Sequence, residues 1–285
     1  MTTPSPLSDI LLQLSLIEDL GFPWHDVTTD LLFPDHHKIS HAKIISKHPE
    51  IITVCGVTLI EALFKKLSPH TKMTIHHPDG SQLKPKETLL TIEAPASALL
   101  KGERVALNFL RHLSAIASLT NKYVEKIKHT QLKILDTRKT TPGMRELEKY
   151  AVHCGGGVNH RMGLYDAIMV KDTHVDILGG MKNALAALPD KTTHKLPVII
   201  EIRTIEELHI ALENTHKITR VLLDNMPPDL LFACVVLCNK QVETEASGNI
   251  RLENILAIAQ TGVDYASVGE LTYNAGQVDL SMYTS

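Results

Sequence analysis

The chain has 285 residues, of which 44 % are hydrophobic and 21 % charged, a globular composition sufficient for one large domain or two unequal ones. The formal net charge of −3 excludes a protein that binds nucleic acid through bulk positive charge. Asp9, Glu18 and Asp19 interrupt the apolar opening segment, so we expect neither a signal peptide nor a membrane span and place the protein in the cytoplasm. The four cysteines form no C-x-x-C pair and are expected to be reduced thiols.

The first part of the chain predicts a small α+β domain. Apolar residues recur at helical spacing from Leu7 to Leu20 and stop at Gly21, which predicts an amphipathic helix. Short β-like runs follow, namely KIIS, IITV, KMTIHH and ETLLTIEA, with the helix-like VTLIEALFKKL between the second and the third. From Pro95 to about Ile127 the sequence is strongly helical, and we expect two helices there.

After residue 130, strand-like and helix-like runs alternate. The strand-like runs are LKILDT, DAIMVKD, VIIEI, RVLLDN, QVETEASG and DYASVGE. This alternation is typical of parallel βαβ units. We therefore predict an N-terminal α+β open-sandwich domain over residues 1–112, to which the tail 276–285 returns. An α/β barrel of about six to seven parallel strands follows over residues 113–275.

A charged or phosphate-binding group stands at or just beyond the C-terminal end of each predicted strand. These groups are Asp136 with Arg138 and Lys139, Lys171 with Asp172, Glu201, Asp224 with Asn225, Ser247 with Gly248, and Ser267 with Gly269. The C-terminal ends of barrel strands meet at one mouth, where such folds hold their active sites. Loops that begin there are polar in any protein, but six successive coincidences favour a site.

Residues 136–174 are especially rich in groups that bind anions. Five potential cations occur within about 35 residues, namely Arg138, Lys139, His160, Arg161 and Lys171. Thr141 and Pro142 predict a helix start directly after Lys139, and the free N–H groups of a helix start favour anions. Three successive glycines, 155–157, suggest a loop that turns tightly or approaches a ligand. The stretch therefore predicts a pocket for a small polyanion.

Carboxylates at two later strand ends complete the predicted site. Glu201 and Asp224 offer oxygen ligands of the kind that Mg²⁺ prefers, together with substrate hydroxyls and phosphates. The ASGN and SVGE turns resemble a phosphate cradle of backbone N–H groups at the last strands of a barrel. Cations, carboxylates and phosphate-binding turns together suit a sugar phosphate with its metal.

Long motifs of the chain resemble the quinolinate phosphoribosyltransferase (nicotinate-nucleotide pyrophosphorylase) family. They are ERVALNFLRHLSAIASLT, DTRKTTPG, KYAVHCGGGVNHRMGLYDAIMVKD, LLDNM, EASGN and DYASVGELT, in family order over nearly the whole chain. The resemblance implies transfer of phosphoribosyl from phosphoribosyl pyrophosphate to quinolinate, which yields nicotinate mononucleotide, pyrophosphate and CO₂ in NAD biosynthesis. It also implies Mg²⁺ as cofactor and a homodimer, or an oligomer of dimers, in which each N-terminal domain completes the neighbouring site.

The resemblance also implies roles for individual residues. Those implied to hold the quinolinate carboxylates are Arg138, His160 and Arg161, with Arg104 reaching in from the partner subunit. Those implied to be catalytic are Lys139 and Lys171, between quinolinate and the phosphates, and Glu201 and Asp224, which face the ribose and the metal. The implied substrate-binding set further includes Thr140, Ser247, Gly248, Asn249, Val268, Gly269 and Glu270. Tyr273 stands where many relatives have a histidine.

Two other functions are compatible with the same residues. One is a related phosphoribosyltransferase that acts on another aromatic acid, but the intact KYAVHCGGGVNHR segment with His160 and Arg161 favours quinolinate. The other is a non-catalytic sensor of a phosphate ligand. Glu201 and Asp224 argue against a sensor, because two carboxylates would weaken simple anion binding.

Overall fold

The computed structural model describes residues 5–33, 38–190, 193 and 195–284. This described part divides into two compact units, and neither is one continuous range of the chain. The first unit contains Met1–Asn121, Thr140–Gly156 and Asn274–Ser285, and the second contains Lys122–Lys139 and Gly157–Tyr273. The segment Thr140–Gly156 thus belongs to the first unit, although it lies within the range predicted for the barrel.

The N-terminal part of the chain alternates helices with short strands. Its elements are α1 (Pro6–Leu20), α2 (Val27–Leu32), β1 (Ile39–Ser46), β2 (Ile52–Thr53), α3 (Val57–Leu67), β3 (Lys72–Ile75), β4 (Gln82–Leu83), β5 (Thr88–Pro95) and α4 (Ala96–Ile127). The helix α4 is continuous over 32 residues, so the prediction of two helices there is wrong. Across the described residues, no helix combines the length and apolar character needed to cross a membrane.

The remaining elements follow the predicted alternation of strands and helices. They are β6 (Lys133–Leu135), α5 (Arg145–Cys154), β7 (Ile168–Val170), α6 (Asp172–Ile177), α7 (Met181–Ala187), β8 (Val198–Ile202), α8 (Ile205–Leu212), β9 (Arg220–Asp224), α9 (Pro228–Cys238), β10 (Glu243–Ser247), α10 (Ile255–Gln260), β11 (Tyr265–Ser267), α11 (Glu270–Tyr273) and β12 (Leu280–Thr284). Each strand-like run predicted after residue 130 contains one of these strands.

The first unit holds an antiparallel sheet with the strand order β12-β1-β5-β3 among its described residues. Residue Ile44 of β1 pairs with Met282 on one side and with Leu90 on the other, so β12 joins the N-terminal sheet. Burial alternates along β1 and places Ala42 and Ile44 in the core.

The second unit holds a parallel sheet with the strand order β6-β11-β10-β9-β8-β7 in the part of the chain that the structure describes. Its six strands agree with the α/β barrel predicted with about six to seven. At the seam, Leu135 of β6 forms a parallel bridge to Val158, and the described residues show no ladder between β6 and β7. Because all strands are parallel, their C-terminal ends lie on one side of the sheet.

The helix expected at Thr141 and Pro142 begins later. The N–H of Met144 donates to the carbonyl of Thr141, and Gly143 has a φ of 81°, so these residues form a turn before α5 starts at Arg145. The predicted helix N-terminus directly after Lys139 is therefore wrong, because a left-handed glycine interrupts the helical backbone there.

Candidate active site

A cavity of about 630 Å³ lies where the parallel strands of the second unit end. All residues that line it belong to that unit. The predicted site residues among them are Arg138, Lys139, His160, Arg161, Lys171, Glu201, Asp224, Ser247, Gly248, Asn249, Gly269 and Glu270. Groups from six strand ends thus meet at one mouth.

The guanidinium groups of Arg138 and Arg161 in the cavity repel each other. Burial lowers the pKa of Arg161, and the nearby charge of Arg138 lowers it further, with partial compensation by Asp166. The Nη1 atom of Arg161 donates to the carbonyl oxygen of Ala167 at 3.2 Å, which anchors one end of the guanidinium. Two neighbouring cations in a partly buried position favour binding of an anion, and arginine pairs with carboxylates through parallel hydrogen bonds.

Two carboxylates stand at the ends of neighbouring strands. Glu201, the penultimate residue of β8, has 10 % of its side chain exposed, and its Oε2 lies 3.6 Å from Nζ of Lys171. Burial raises the pKa of Glu201, Lys171 lowers it, and Asp224 and Asp172 raise it, with a net upward shift. Asp224 ends β9, and its Oδ2 accepts a hydrogen bond from Nδ2 of Asn225 at 2.7 Å.

The turns after β9 and β10 are tied together by asparagines. The N–H of Asn225 donates to the carbonyl of Ser247 at 2.8 Å, and Nδ2 of Asn249 donates to Oδ1 of Asn225 at 3.1 Å. Asn225, Gly248 and Asn249 all have positive φ, a conformation that asparagine and glycine adopt most readily. A Cβ at Gly248 would overlap the side chain of Asn225, so this position requires glycine.

The turn after β11 carries Gly269 and the short helix α11. The hydroxyl of Thr272 in α11 donates to the carbonyl of Lys139 at 2.7 Å, which fixes the backbone of that cavity lysine. The ring of Tyr273 packs against Gly269 and lines the cavity. The carboxylate of Glu270 accepts a hydrogen bond from the hydroxyl of the buried Tyr123, so this carboxylate is already engaged.

Models of both domains of one enzyme family match this chain. The model described as quinolinate phosphoribosyl transferase, C-terminal domain, matches residues 116–283, and the N-terminal domain model matches residues 26–114. The chain belongs to the quinolinate phosphoribosyltransferase family.

Relatives across the family resemble the chain over nearly its whole length. A probable nicotinate-nucleotide pyrophosphorylase of Bacillus subtilis is 39 % identical over 272 residues, which cover 95 % of this chain and 91 % of the relative. A quinolinate phosphoribosyltransferase of Nicotiana tabacum is 38 % identical, with 95 % and 81 % covered. The solved nicotinate-nucleotide pyrophosphorylase of Francisella tularensis superposes with a TM-score of 0.91 at 33 % identity and covers 99 % of this chain and 98 % of its own.

Thr140 and Val268, which the family resemblance placed in the site, do not line the cavity, and neither does Arg104, which the resemblance placed in the site of the partner subunit. Arg104 lies on α4 in the first unit, where it lines another pocket with Glu18 and Asp19. Thr140 belongs to the first unit and accepts a hydrogen bond from Nε of Arg145. Val268 is fully buried, and its N–H donates to the carbonyl of Leu135, so it offers a ligand neither a side chain nor an amide proton.

Sequence reasoning missed two charged residues that line the cavity, namely Glu245 and Arg251. Glu245 carried a visible signal, since a glutamate two positions before Ser247 on one strand shares its face. Asn225 is among the predicted strand-end groups, together with Asp224, but its positive φ is a feature that the residue type alone does not specify. Arg251 follows the ASGN turn, and a single exposed arginine has no distinguishing pattern.

Proposed function

We propose that the protein transfers the phosphoribosyl group of phosphoribosyl pyrophosphate to quinolinate and releases pyrophosphate and CO₂, forming nicotinate mononucleotide. The observation that carries this proposal is the cavity itself, in which Arg138, Lys139, Arg161 and Lys171 converge beside the carboxylates Glu201 and Asp224. Membership of the quinolinate phosphoribosyltransferase family supports the same reaction.

The cations bind and orient two anionic substrates. We assign the pair Arg138 and Arg161 to the two carboxylates of quinolinate, because a dianion relieves the repulsion between their guanidinium groups. Lys139 and Lys171 lie between this pair and the phosphates. The pyridine nitrogen carries no proton, so its attack needs no general base, and positioning is the main task of the protein.

The carboxylates act on the ribose. The pyridine nitrogen forms a bond to the anomeric carbon while the bond to pyrophosphate breaks and its electron pair leaves with pyrophosphate. The transition state resembles an oxocarbenium ion, whose positive charge Glu201 and Asp224 stabilise. The alkylated nitrogen is cationic and accepts the electrons left when the 2-carboxylate departs as CO₂, after which that carbon takes up a proton from the medium.

Glu201 and Asp224 also fit a role in Mg²⁺ binding. Among the described residues, His, Cys, Asp and Glu side chains form no cluster of three or more that could hold a metal. Two carboxylates suit an ion that takes its remaining oxygen ligands from phosphate, ribose and water. When bound, Mg²⁺ supplies charge neutralisation for the leaving pyrophosphate.

We further propose that the protein acts as a homodimer in the cytoplasm. Phe22, Val27 and Leu31 expose 85 %, 82 % and 78 % of their surface near α1 and α2, and exposed apolar groups of this kind favour self-association. In such a dimer, Arg104 would complete the site of the partner subunit. Free thiols at Cys55, Cys154, Cys234 and Cys238 suit a reducing compartment.

Release of labelled CO₂ tests the proposed reaction. Purified protein with 2-carboxyl-labelled quinolinate, phosphoribosyl pyrophosphate and Mg²⁺ is expected to release label, and Arg138→Ala and Lys139→Ala to lower the rate about 100-fold or more. Arg203→Ala is the matched control, because Arg203 is an arginine that pairs with Asp176 and Glu207 outside the cavity.

No release by the wild-type protein above a heat-inactivated sample would contradict the proposal. Faster turnover of nicotinate than of quinolinate would favour a related transferase for another aromatic acid. Tight binding of phosphoribosyl pyrophosphate without turnover of either acid would favour a sensor.

A further inference from the structure

Charged side chains on the strands of the parallel sheet form a buried network beside the cavity. Its centre is Glu245, in the middle of β10, which has no exposed surface. Nη1 of Arg220 lies 3.0 Å from Oε2 of Glu245, and the hydroxyl of Ser267 donates to Oε1. Nε2 of His160 faces the same Oε1 at 3.4 Å. None of the roles proposed for the reaction uses this carboxylate.

Arg220 holds the far side of the carboxylate rigidly. Its Nε and Nη2 donate to Oε2 of Glu243 at 3.0 and 2.8 Å, and its guanidinium lies 3.8 Å from the centre of the Tyr265 ring. Because Arg220 donates to one oxygen of Glu245 and Ser267 donates to the other, Glu245 is an acceptor with a fixed orientation.

The hydrogen bonds of His160 define which ring nitrogen carries the proton. The N–H of Arg161 donates to Nδ1 of His160 at 2.6 Å, so Nδ1 is an unprotonated acceptor. The proton of the neutral ring then lies on Nε2, which faces Glu245. Both ring nitrogens are thus engaged within the protein, and the His160 side chain is only 7 % exposed.

We infer that Glu245 is a positioning residue, which holds His160 in the Nε2–H tautomer and through it orients Arg161 for the carboxylates of the acceptor substrate. His160 then acts on the acceptor by holding the backbone of Arg161 rather than by donating from its ring to a carboxylate. This inference rests on the proposed function for the identity of the acceptor, quinolinate.

Glu245→Gln tests the inference with little change of shape. The charge of Arg220 retains the amide oxygen, so the amide NH₂ group faces Nε2 of His160 and opposes the required tautomer. We expect the KM for quinolinate to rise about tenfold, while kcat and the KM for phosphoribosyl pyrophosphate change less than about threefold.

Glu243→Gln is the matched control, because Glu243 pairs with the same arginine and its other oxygen accepts from the hydroxyl of Tyr265. Its KM for quinolinate is expected to stay at the wild-type value. An unchanged KM for quinolinate in folded Glu245→Gln would overturn the inference, and so would an equal rise in both variants.

Nitrogen NMR shows which ring nitrogen of His160 carries the proton. This test depends neither on turnover nor on the stability of any Glu245 variant. In the wild-type protein, with His160 assigned by comparison with His160→Gln, we expect a protonated Nε2 and an unprotonated Nδ1. A protonated Nδ1 would overturn the inference. A wild-type protein that shows the expected tautomer but does not turn over quinolinate would contradict the proposed function instead.

Discussion

Glu201 acts on the ribose in the proposed reaction, but its buried negative charge destabilises the folded protein. Its side chain is 10 % exposed, and burial raises its pKa above the ordinary value of 4.5, with Asp224 and Asp172 adding to the shift against Lys171. A raised pKa in the folded state means that the folded protein holds the proton more tightly than the unfolded chain. The contribution of Glu201 to stability is therefore greatest below pH 4.5 and is lost as the pH rises through the folded pKa.

Glu201→Gln removes this titration. We expect the free energy of unfolding of the variant, relative to wild type, to increase from pH 4.5 upward and then to level off once the pH exceeds the folded pKa of Glu201. Denaturant unfolding of both proteins between pH 4 and pH 8 measures this difference in the free energy of unfolding. The turnover of the variant is expected to fall.

Glu206→Gln provides a control of opposite sign. Hydrogen bonds to the helix backbone and to Thr204 lower the pKa of Glu206, so this variant should lose stability relative to wild type as the pH rises. A pH-independent difference between Glu201→Gln and wild type would contradict the expected titration.

Single residues also mark the limit of what the sequence predicts. Arg138, Lys139 and Lys171 are predicted to converge because each stands near the end of a strand-like run. Arg161 is predicted to join them because it belongs to the same cation-rich stretch, and the structure places all four in one cavity. The engagement of both His160 nitrogens could not be predicted, because it depends on the three-dimensional meeting of β10 with the loop after Val158.

At the scale of elements, the turns after β9 and β10 form one unit. Gly248 has a φ of 89°, and a Cβ there would overlap the side chain of Asn225, which binds both Asp224 and Asn249. We expect Gly248→Ala to raise the KM for phosphoribosyl pyrophosphate at least tenfold and to lower the free energy of unfolding by about 1–3 kcal/mol. Steady-state kinetics and denaturant unfolding measure the two effects.

Gly276→Ala is the control for Gly248→Ala, because it introduces similar backbone strain at a position away from the turn. Gly276 has a φ of 75° with no atom within 4 Å of the added Cβ, so the variant should lose about 1 kcal/mol of stability and keep its KM. Equal KM values for Gly248→Ala and wild type would contradict the role of this turn.

Periodicity predicted the strands better than it predicted the helix boundaries. Apolar runs at regular spacing indicated all six barrel strands, because buried parallel strands have few polar positions. The start of α5 was placed too early, since a left-handed Gly143 follows a threonine and a proline that suit a helix start. The continuity of α4 was missed because no local signal marks where a long apolar pattern continues rather than turns.

At the scale of the whole molecule, the proposed dimer predicts that two inactive variants regain activity when their subunits are mixed. Arg104→Ala and Arg138→Ala should each be nearly inactive alone. If the sites are shared, half of the dimers refolded from an equal mixture contain both variants, and each of those has one intact site. The mixture should therefore recover about a quarter of the wild-type activity. Activity no higher than that of either variant alone would contradict a shared site.

A crystal structure with quinolinate bound tests the central claim most directly. The proposed function predicts the ligand in the cavity at the C-terminal ends of the parallel strands, with its carboxylates against Arg138 and Arg161 and its ring nitrogen directed toward the side of Glu201 and Asp224. Quinolinate bound elsewhere on the chain, with this cavity holding only solvent, would contradict it.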